Sequence, residues 1–477
     1  MIDYLRDIRL RPVWRPMPAE IKQAFAQTDL PVKGQSPWQT YNEVYSLVLP
    51  YSFGNDHPHF WGYVPGAGSS IGALAEFITG TMNTMSWGGH QSSIYMERQV
   101  LSWFKMVMGF PNDDTCSGIL VSGTSVATII ALAVARKRFH NRNMKIYYSK
   151  DTHSCLIRAA ELLNIEKHNL IAVPVNQQHQ IDLKALKDAI DPCSCGFIVG
   201  TAGTTGTGAI DDLQGLADLC GSRSQELWLH IDGALGAVAC FSSRLKPLFA
   251  GLERADSLAF DLHKWLSVPY ECGCILIRDG HLHKSTFVHH IGSYLTLMDG
   301  GLAPITGELF FSDYGLELSR NMKSLKVWMT LKTYGFEQLG YIMEQNVDQA
   351  MHFSNLIKQH PHDLELLNTA EIEWNVYRDH NELTLIYKKD GIELQCTFEQ
   401  TIGKSKINLT ADQQPLYLLE IVNNEYVNKN GNLNTDRIPR LRNFFKRRIN
   451  SYINKIDVVN ARQHHTTQQL HIPQQLG

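Results

Sequence analysis

The sequence predicts an α/β protein: a mostly parallel sheet with helices on both faces, preceded by an N-terminal arm and followed by a small C-terminal α+β domain. Three observations carry this. From Ile119 onward, apolar runs of strand length alternate with small polar turns and helical runs rich in Ala or Leu, which is the rhythm of βαβ units. Charged residues stand where two of those strands should end, Asp232 after the run Leu227 to Ile231 and Lys264 just beyond Leu258 to Phe260. The segments before about residue 60 and after about residue 340 lack that rhythm. The organisation expected is an arm over 1–60, a large domain over 61–340, a small domain over 341–460 and a disordered tail over 461–477.

With 477 residues, 44% of them hydrophobic and 19% charged, the chain can bury a large core. A net charge of −3 gives no basic field for nucleic acid or an anionic membrane, so a small molecule or a protein is the expected partner. No stretch reaches the roughly 18 to 20 apolar residues of a spanning helix. The start MIDYLRDIRLRPVW lacks a basic segment followed by an apolar one. Nine cysteines lie scattered in apolar context, and the close pairs Cys193/Cys195 and Cys272/Cys274 lack the second pair of a zinc site. A cytoplasmic protein without a metal is the expectation.

In chain order, the arm mixes Pro, Trp and short amphipathic runs. It cannot make a core alone, so it is expected to pack on a partner subunit. HPHFWGYVPGAGSS, residues 57–70, is a Gly/Pro/aromatic loop before the helix-like IGALAEFITGTMNTM. Its aromatics either plug the edge of a core or line a pocket. GILVSGTSVATIIALAVARKRF then reads as strand, turn and helix. Its turn Gly123, Thr124, Ser125 offers free N–H groups and hydroxyls to an anion, although ordinary N-capping would use the same residues. KIYYSKDTHSCLIRAAELL repeats the unit with His153 at the turn, and GFIVGTAGTTGTGAIDDLQGLADLC repeats it with a Gly/Thr turn.

LWLHIDGALGAV and ADSLAFDLHKW follow. Most lysines are solvated surface charges. The flanks of Lys264, with Leu258, Ala259 and Phe260 before it and Trp265 and Leu266 after it, are too apolar for open surface. A lysine amine in a closed pocket is a candidate to form a Schiff base with a carbonyl. Paired with a carboxylate at a neighbouring strand end, it points to pyridoxal phosphate. Residues 275–315 show no period and read as a long lid-like loop. SRNMKSLKVWMTLKTYGFEQL is an amphipathic helix with Gly335 as its stop. Strand-like runs LTLIYKK, IELQCTFEQ and LYLLEIVNN come next, then the basic amphipathic segment RIPRLRNFFKRRINSYINKI.

Taken together, HPHFWGYVPGAGSS, SGTSVATIIALAVAR, the His153 turn, GTAGTTGTGAID, HIDGA, ADSLAFDLHKW and SRNMKSLKVW make the chain resemble the group II pyridoxal-phosphate-dependent amino acid decarboxylases. That group includes aromatic amino acid, histidine and glutamate decarboxylases. The resemblance implies the fold-type I architecture, a homodimer, and decarboxylation of a small L-amino acid to an amine and carbon dioxide. It implies that Lys264 holds pyridoxal phosphate covalently, that Asp232 binds the ring nitrogen and that His153 stacks on the ring. Gly123, Thr124 and Ser125 would receive the phosphate with His263 beside them, and Thr204 would lie on the phenolic side. Tyr63, Pro65 and Asn83 would meet the substrate. Tyr314 would be the lid tyrosine that returns a proton to Cα, unless it is only an anchor. Another carbon–carbon lyase, an aldehyde-forming oxidative deaminase and a non-catalytic pyridoxal-binding subunit are the alternatives.

Overall fold

The computed structural model describes residues 2–26, 30–60, 62–140, 142–222, 226–288 and 309–359, and the backbone of 382–389, 392–401, 404–411 and 414–417. The chain divides into two compact units, 1–406 and 407–477.

The first unit is organised by a seven-stranded sheet: β1 (Ser117–Val121), β2 (Lys145–Ser149), β3 (Leu170–Val173), β4 (Gly196–Thr201), β5 (Leu227–Asp232), β6 (Ser257–Asp261) and β7 (Gly273–Ile277), in the order β1-β7-β6-β5-β4-β2-β3. β7 runs antiparallel to both its neighbours, whereas β2, β3, β4, β5 and β6 pair in parallel. Every residue of β4, β5, β6 and β7 is buried. That explains runs such as LWLHID and GCILI, because a strand covered on both faces loses the polar alternation that would mark it.

β7 corrects the sequence expectation over 275–315. A strand and then a helix, Gly280–Phe287, fill the first part of that stretch, and residues 289–308 lie outside the described residues.

The remaining helices are α1 (Ile2–Arg6), α2 (Ala19–Ala26), α3 (Pro37–Glu43), α4 (Ser70–Met82), α5 (Ser92–Met108), α6 (Thr124–Arg138), α7 (Cys155–Leu162), α8 (Leu183–Ala189) and α9 (Leu213–Gly221). Gly280–Phe287 is α10, and α11 is Ser324–Lys358. α6 packs on β1, β5, β6 and β7, and α9 on β4 and β5. Asp212 N-caps α9 by accepting the Gly215 N–H at 2.9 Å. Gly335 interrupts α11 with φ 74° and ψ 158°, yet the helix resumes beyond it. The stop read from sequence is therefore a kink, which a glycine without Cβ tolerates.

In the arm, α2 and α3 bury no residue. Trp14 and Trp38 remain more than half exposed. Among the C-terminal strands, Glu382–Lys389 pairs antiparallel with Ile392–Thr401, as LTLIYKK and IELQCTFEQ predict. Lys404–Ala411 pairs antiparallel with Gln414–Tyr417. The basic segment over 437–456 and the tail lie outside the described residues. Among the described residues no helix is long and apolar enough to cross a membrane, and no group of His, Cys, Asp and Glu could hold a metal ion.

A buried ion pair ties the strand β1 to the segment that leads into α11. The Arg320 guanidinium donates to Glu97 Oε1 on α5 at 2.7 Å, to the Leu120 carbonyl of β1 at 2.8 Å and to the Ser86 carbonyl at 2.9 Å. Glu97 Oε1 also accepts the Leu120 N–H at 2.9 Å. Both side chains are almost fully withdrawn from water. Removing one partner strands the other charge in the core, at a cost of roughly 3–5 kcal/mol. Arg320→Met is expected to lower the urea midpoint of unfolding by a corresponding amount; an unchanged midpoint would show that the network is dispensable.

Candidate active site

The site forms where parallel strands end. Register places Thr201 of β4 opposite Asp232 of β5, and Asp232 opposite Ala259 of β6. Asp261 then lies two residues further along β6. Beyond it the chain turns sharply: the Leu262 and His263 N–H groups both donate to the Cys272 carbonyl, and Ser267, at φ 56°, donates to the Lys264 carbonyl at 3.1 Å. These bonds anchor the DLHKW turn to the start of β7 and aim Lys264 back over the strand ends. Lys264, Asp232, His153 and Thr124 line one cavity.

Two loops complete its walls. Val64 of the 57–69 loop and Ala234 and Leu235 after β5 supply apolar surface, while Thr201, Gly203 and Thr205 come from the end of β4 and its turn. The 57–69 loop is pressed on the lysine turn. A Cβ on Gly66 would stand 2.1 Å from the Lys264 carbonyl oxygen and 2.3 Å from that of His263, so only glycine fits. The Ser69 N–H donates to the Ser267 carbonyl at 2.8 Å and holds the contact.

Asp232 is buried, accepts the Ala234 N–H at 3.1 Å and has its pKa raised by desolvation, against the opposing fields of Lys264 and His153. His153 Nδ1 accepts the Cys155 N–H at 3.2 Å, so the neutral ring carries its proton on Nε2. Desolvation lowers the His153 pKa despite Asp232 nearby, which keeps the ring neutral. His263 Nδ1 accepts the Cys272 N–H at 3.1 Å, and burial lowers its pKa as well. Its Cε1 would lie 3.4 Å from a Cβ on Gly123, next to the turn at the start of α6.

The geometry brings Lys264, Asp232, His153, Thr124, Gly123 and His263 together, and places the other expected residues outside this cavity's lining. Ser125 is solvent-exposed on the first turn of α6. Thr204 is buried with its hydroxyl bonded to that of Thr207 at 2.8 Å, and Thr201, Gly203 and Thr205 face the cavity instead. Tyr63, at φ 61°, is half exposed with its ring on Phe53, and Pro65 is partly buried; the residue between them, Val64, lines the cavity.

Asn83 is the left-handed C-cap of α4, exposed and away from the cavity lining. Asparagine tolerates that conformation at a helix end. Tyr314 also stands apart from Lys264 within its own chain. Its carbonyl accepts the Nε2–H of buried His283 at 2.8 Å, and His283 Nδ1 meets Ser117 Oγ at 2.7 Å. Ser117 begins β1, whereas the cavity lies past the other end of that strand, about 13 Å further at 3.3 Å per residue. Burial, with Asp313 and Asp114 adding to it, pushes the Tyr314 hydroxyl up to about 12.

Two contributors escape a reading of the sequence. Thr201 lines the cavity with a buried hydroxyl that has no hydrogen-bond partner among the described residues. Its N–H donates to Asp211 Oδ2 at 2.7 Å, and Asp211, buried and raised to about 6 by desolvation, also accepts the Ile181 N–H. Asp261 is the second. Its carboxylate accepts the Thr124 N–H at 2.8 Å and the Thr124 hydroxyl at 2.9 Å, and Lys264 Nζ lies 3.2 Å from Oδ2. The only sequence signal was an Asp interrupting an apolar strand three residues before the lysine.

Residues 18–378 match the pyridoxal-dependent decarboxylase conserved domain. The aromatic-L-amino-acid decarboxylase of Bacillus atrophaeus is 32% identical over 345 residues, 70% of this chain and 70% of that one. The 4-hydroxyphenylacetaldehyde synthase of Rhodiola rosea is 24% identical over 381 residues, 75% of this chain and 76% of that one. The Oryza sativa TDC structure with PLP and tryptamine superposes with a TM-score of 0.68 at 22% identity, covering 84% of this chain and 81% of that one, and shows the shared fold. The cofactor is pyridoxal phosphate, and the donor set suits it: an amine for its aldehyde, a buried carboxylate for its ring nitrogen, an unpartnered threonine hydroxyl and the N-terminus of α6 for its anionic groups. By the extent of that match and the agreement of fold and donor set, the chain belongs to the pyridoxal-dependent decarboxylase family, and it is a pyridoxal-phosphate-dependent amino acid decarboxylase.

Proposed function

We propose that the substrate is an aromatic L-amino acid, released as its amine and carbon dioxide, with Lys264, Asp232 and His153 doing the work at the cofactor. The observation that carries the residue roles is that these three side chains line one cavity at the ends of β5 and β6 and the β2–α7 turn. The substrate class is supported by the relatives, which include aromatic-L-amino-acid, tyrosine and tryptophan decarboxylases. Apolar Val64 and Leu235 on the cavity wall suit a large apolar side chain.

Bound pyridoxal phosphate supplies an electron sink for the pair left on Cα when the carboxylate departs. Lys264 Nζ would hold the cofactor through its aldehyde and would give way to the substrate amine. Asp232, destabilised as an anion by burial, gains a counter-charge when it holds a proton at the ring nitrogen. His153 offers the face of a neutral ring to the cofactor, with its Nε2–H free to orient a substrate carboxylate. Gly123, Thr124 and the backbone of Ser125 would receive the phosphate at the start of α6. Val64 and Leu235 keep water from the reacting carbon.

A homodimer is supported by the arm, whose Trp14, Phe25, Leu30, Val32 and Trp38 are all more than half exposed. The aldehyde-forming alternative draws on one observation: Tyr314 does not line the Lys264 cavity of its own chain, so its hydroxyl is not poised there to protonate Cα. One of the relatives is an aldehyde synthase.

Lys264→Ala is expected to reduce turnover by roughly a thousandfold or more while the circular dichroism spectrum stays native; near-normal turnover would remove Lys264 from the chemistry. Asp232→Asn should lower kcat by roughly 100- to 1000-fold with little change in cofactor occupancy, since an amide cannot hold the ring proton through a charge. Equal kcat values would show that Asp232 is not the ring partner. Incubation in air with a panel of L-amino acids should yield carbon dioxide and an equivalent of amine, with the aromatic members turned over fastest. Aldehyde, ammonia and peroxide in place of amine would favour the oxidative alternative, and preference for an acidic amino acid would reject the aromatic one.

A further inference from the structure

Asp261 has no part in the chemistry assigned so far, yet it touches both ends of the cofactor site. Its carboxylate is 3% exposed. Oδ1 accepts the Thr124 N–H and Oδ2 the Thr124 hydroxyl; Lys264 Nζ stands 3.2 Å and His263 Nε2 3.7 Å from the same Oδ2. The carboxylate cannot swing away. A Cβ on Gly273 would lie 2.8 Å from Oδ1 and 2.7 Å from Gly123 Cα, and a Cβ on Gly123 would lie 3.5 Å from Oδ1. Backbone therefore closes on it from two sides.

Thr124 opens the 15-residue helix α6 and belongs to the turn assigned to the phosphate. A phosphate arriving there competes with Asp261 for the same two donors. It also sets a second anion beside a carboxylate withdrawn from water, where two neighbouring like charges resist joint ionisation. The proton closest to hand is on Lys264 Nζ.

We propose that Asp261 couples phosphate docking at Thr124 to activation of Lys264, by accepting a proton from Nζ when the phosphate arrives. One N–H bond of the ammonium breaks and one O–H bond forms on Oδ2. The electron pair stays on nitrogen, which becomes the neutral amine that attacks an aldehyde, and net charge is conserved. The other ionisable groups around the pair are Asp232 from β5, His153 from the β2–α7 turn, Cys155 from α7, His263 and Tyr270 from the turn after β6, and Cys272 just before β7. Burial holds both imidazoles below their ordinary range, so neither is a good acceptor for that proton. Asp232 acts on Lys264 through space in both states and does not touch the phosphate turn. Asp261 is thus a positioning and proton-accepting residue for the lysine, set by the occupant of Thr124.

The inference rests on Lys264 being the aldehyde-binding amine. The test separates the phosphate from the aldehyde. The full chain, freed of cofactor, is mixed at pH 7 with pyridoxal, which has the aldehyde and no phosphate, with inorganic phosphate or with chloride at equal ionic strength. Borohydride reduction and peptide mapping then give the rate at which Lys264 is captured. Inorganic phosphate should accelerate wild-type capture relative to chloride. Asp261→Asn should capture at the faster rate without phosphate and gain nothing from it. The same acceleration in Asp261→Asn as in the wild type would overturn the coupling, as would no acceleration in the wild type, a measurement that needs no variant. Labelling of a different lysine by pyridoxal phosphate itself would instead overturn the assignment of Lys264.

Discussion

The ammonium of Lys264 faces two carboxylates that are almost wholly withdrawn from water, Asp232 and Asp261, and the rest of the site follows from having to support that arrangement. A buried anion is tolerable only with a cation or with several donors. Asp261 has both, through Lys264 and the two donors of Thr124. Asp232 has a backbone N–H and the more diffuse field of the lysine, and desolvation still raises its pKa. The site is therefore short of positive charge on the Asp232 side, a shortage that a protonated ring nitrogen would relieve in the role proposed for Asp232.

The alternation of strand and helix was legible from Ile119 to Lys264 because each unit carries its own turn chemistry. Lys264 and Asp232 were legible as polar residues closing apolar runs, and His153 as the histidine of the turn that follows β2. What was not legible depended on distance through space. β7 escaped although it is as apolar as β5, because its antiparallel insertion between β1 and β6 is a matter of sheet order and not of local pattern. The neighbouring glycines and threonines from 201 to 208 cannot be ranked by pattern, and the hydrogen bond between Thr204 and Thr207 is what turns Thr204 away from the cavity. Tyr314 follows the same logic. Its place beside His283 depends on a helix that the sequence presents as loop.

Backbone contacts, more than side-chain contacts, fix the lysine turn. Gly66 meets the carbonyls of His263 and Lys264, and Gly123 meets Gly273, in both cases closer than a methyl group allows. Contacts of that kind leave little slack, because a backbone atom cannot rotate out of the way as a side chain can. Lys264 and Asp261 are consequently held by packing that is independent of what fills the cavity. Around that fixed centre, the 57–69 loop carries its variable chemistry outward from Gly66: Val64 on the cavity wall and Tyr63 exposed beside Phe53. The strand ends and the lysine turn carry Asp232, Asp261 and Lys264, while a glycine-anchored loop contributes Val64 to the cavity wall. A substitution at 64 changes that wall directly, whereas one at 63 acts on the contact with Phe53, because only Val64 of the pair faces the cavity.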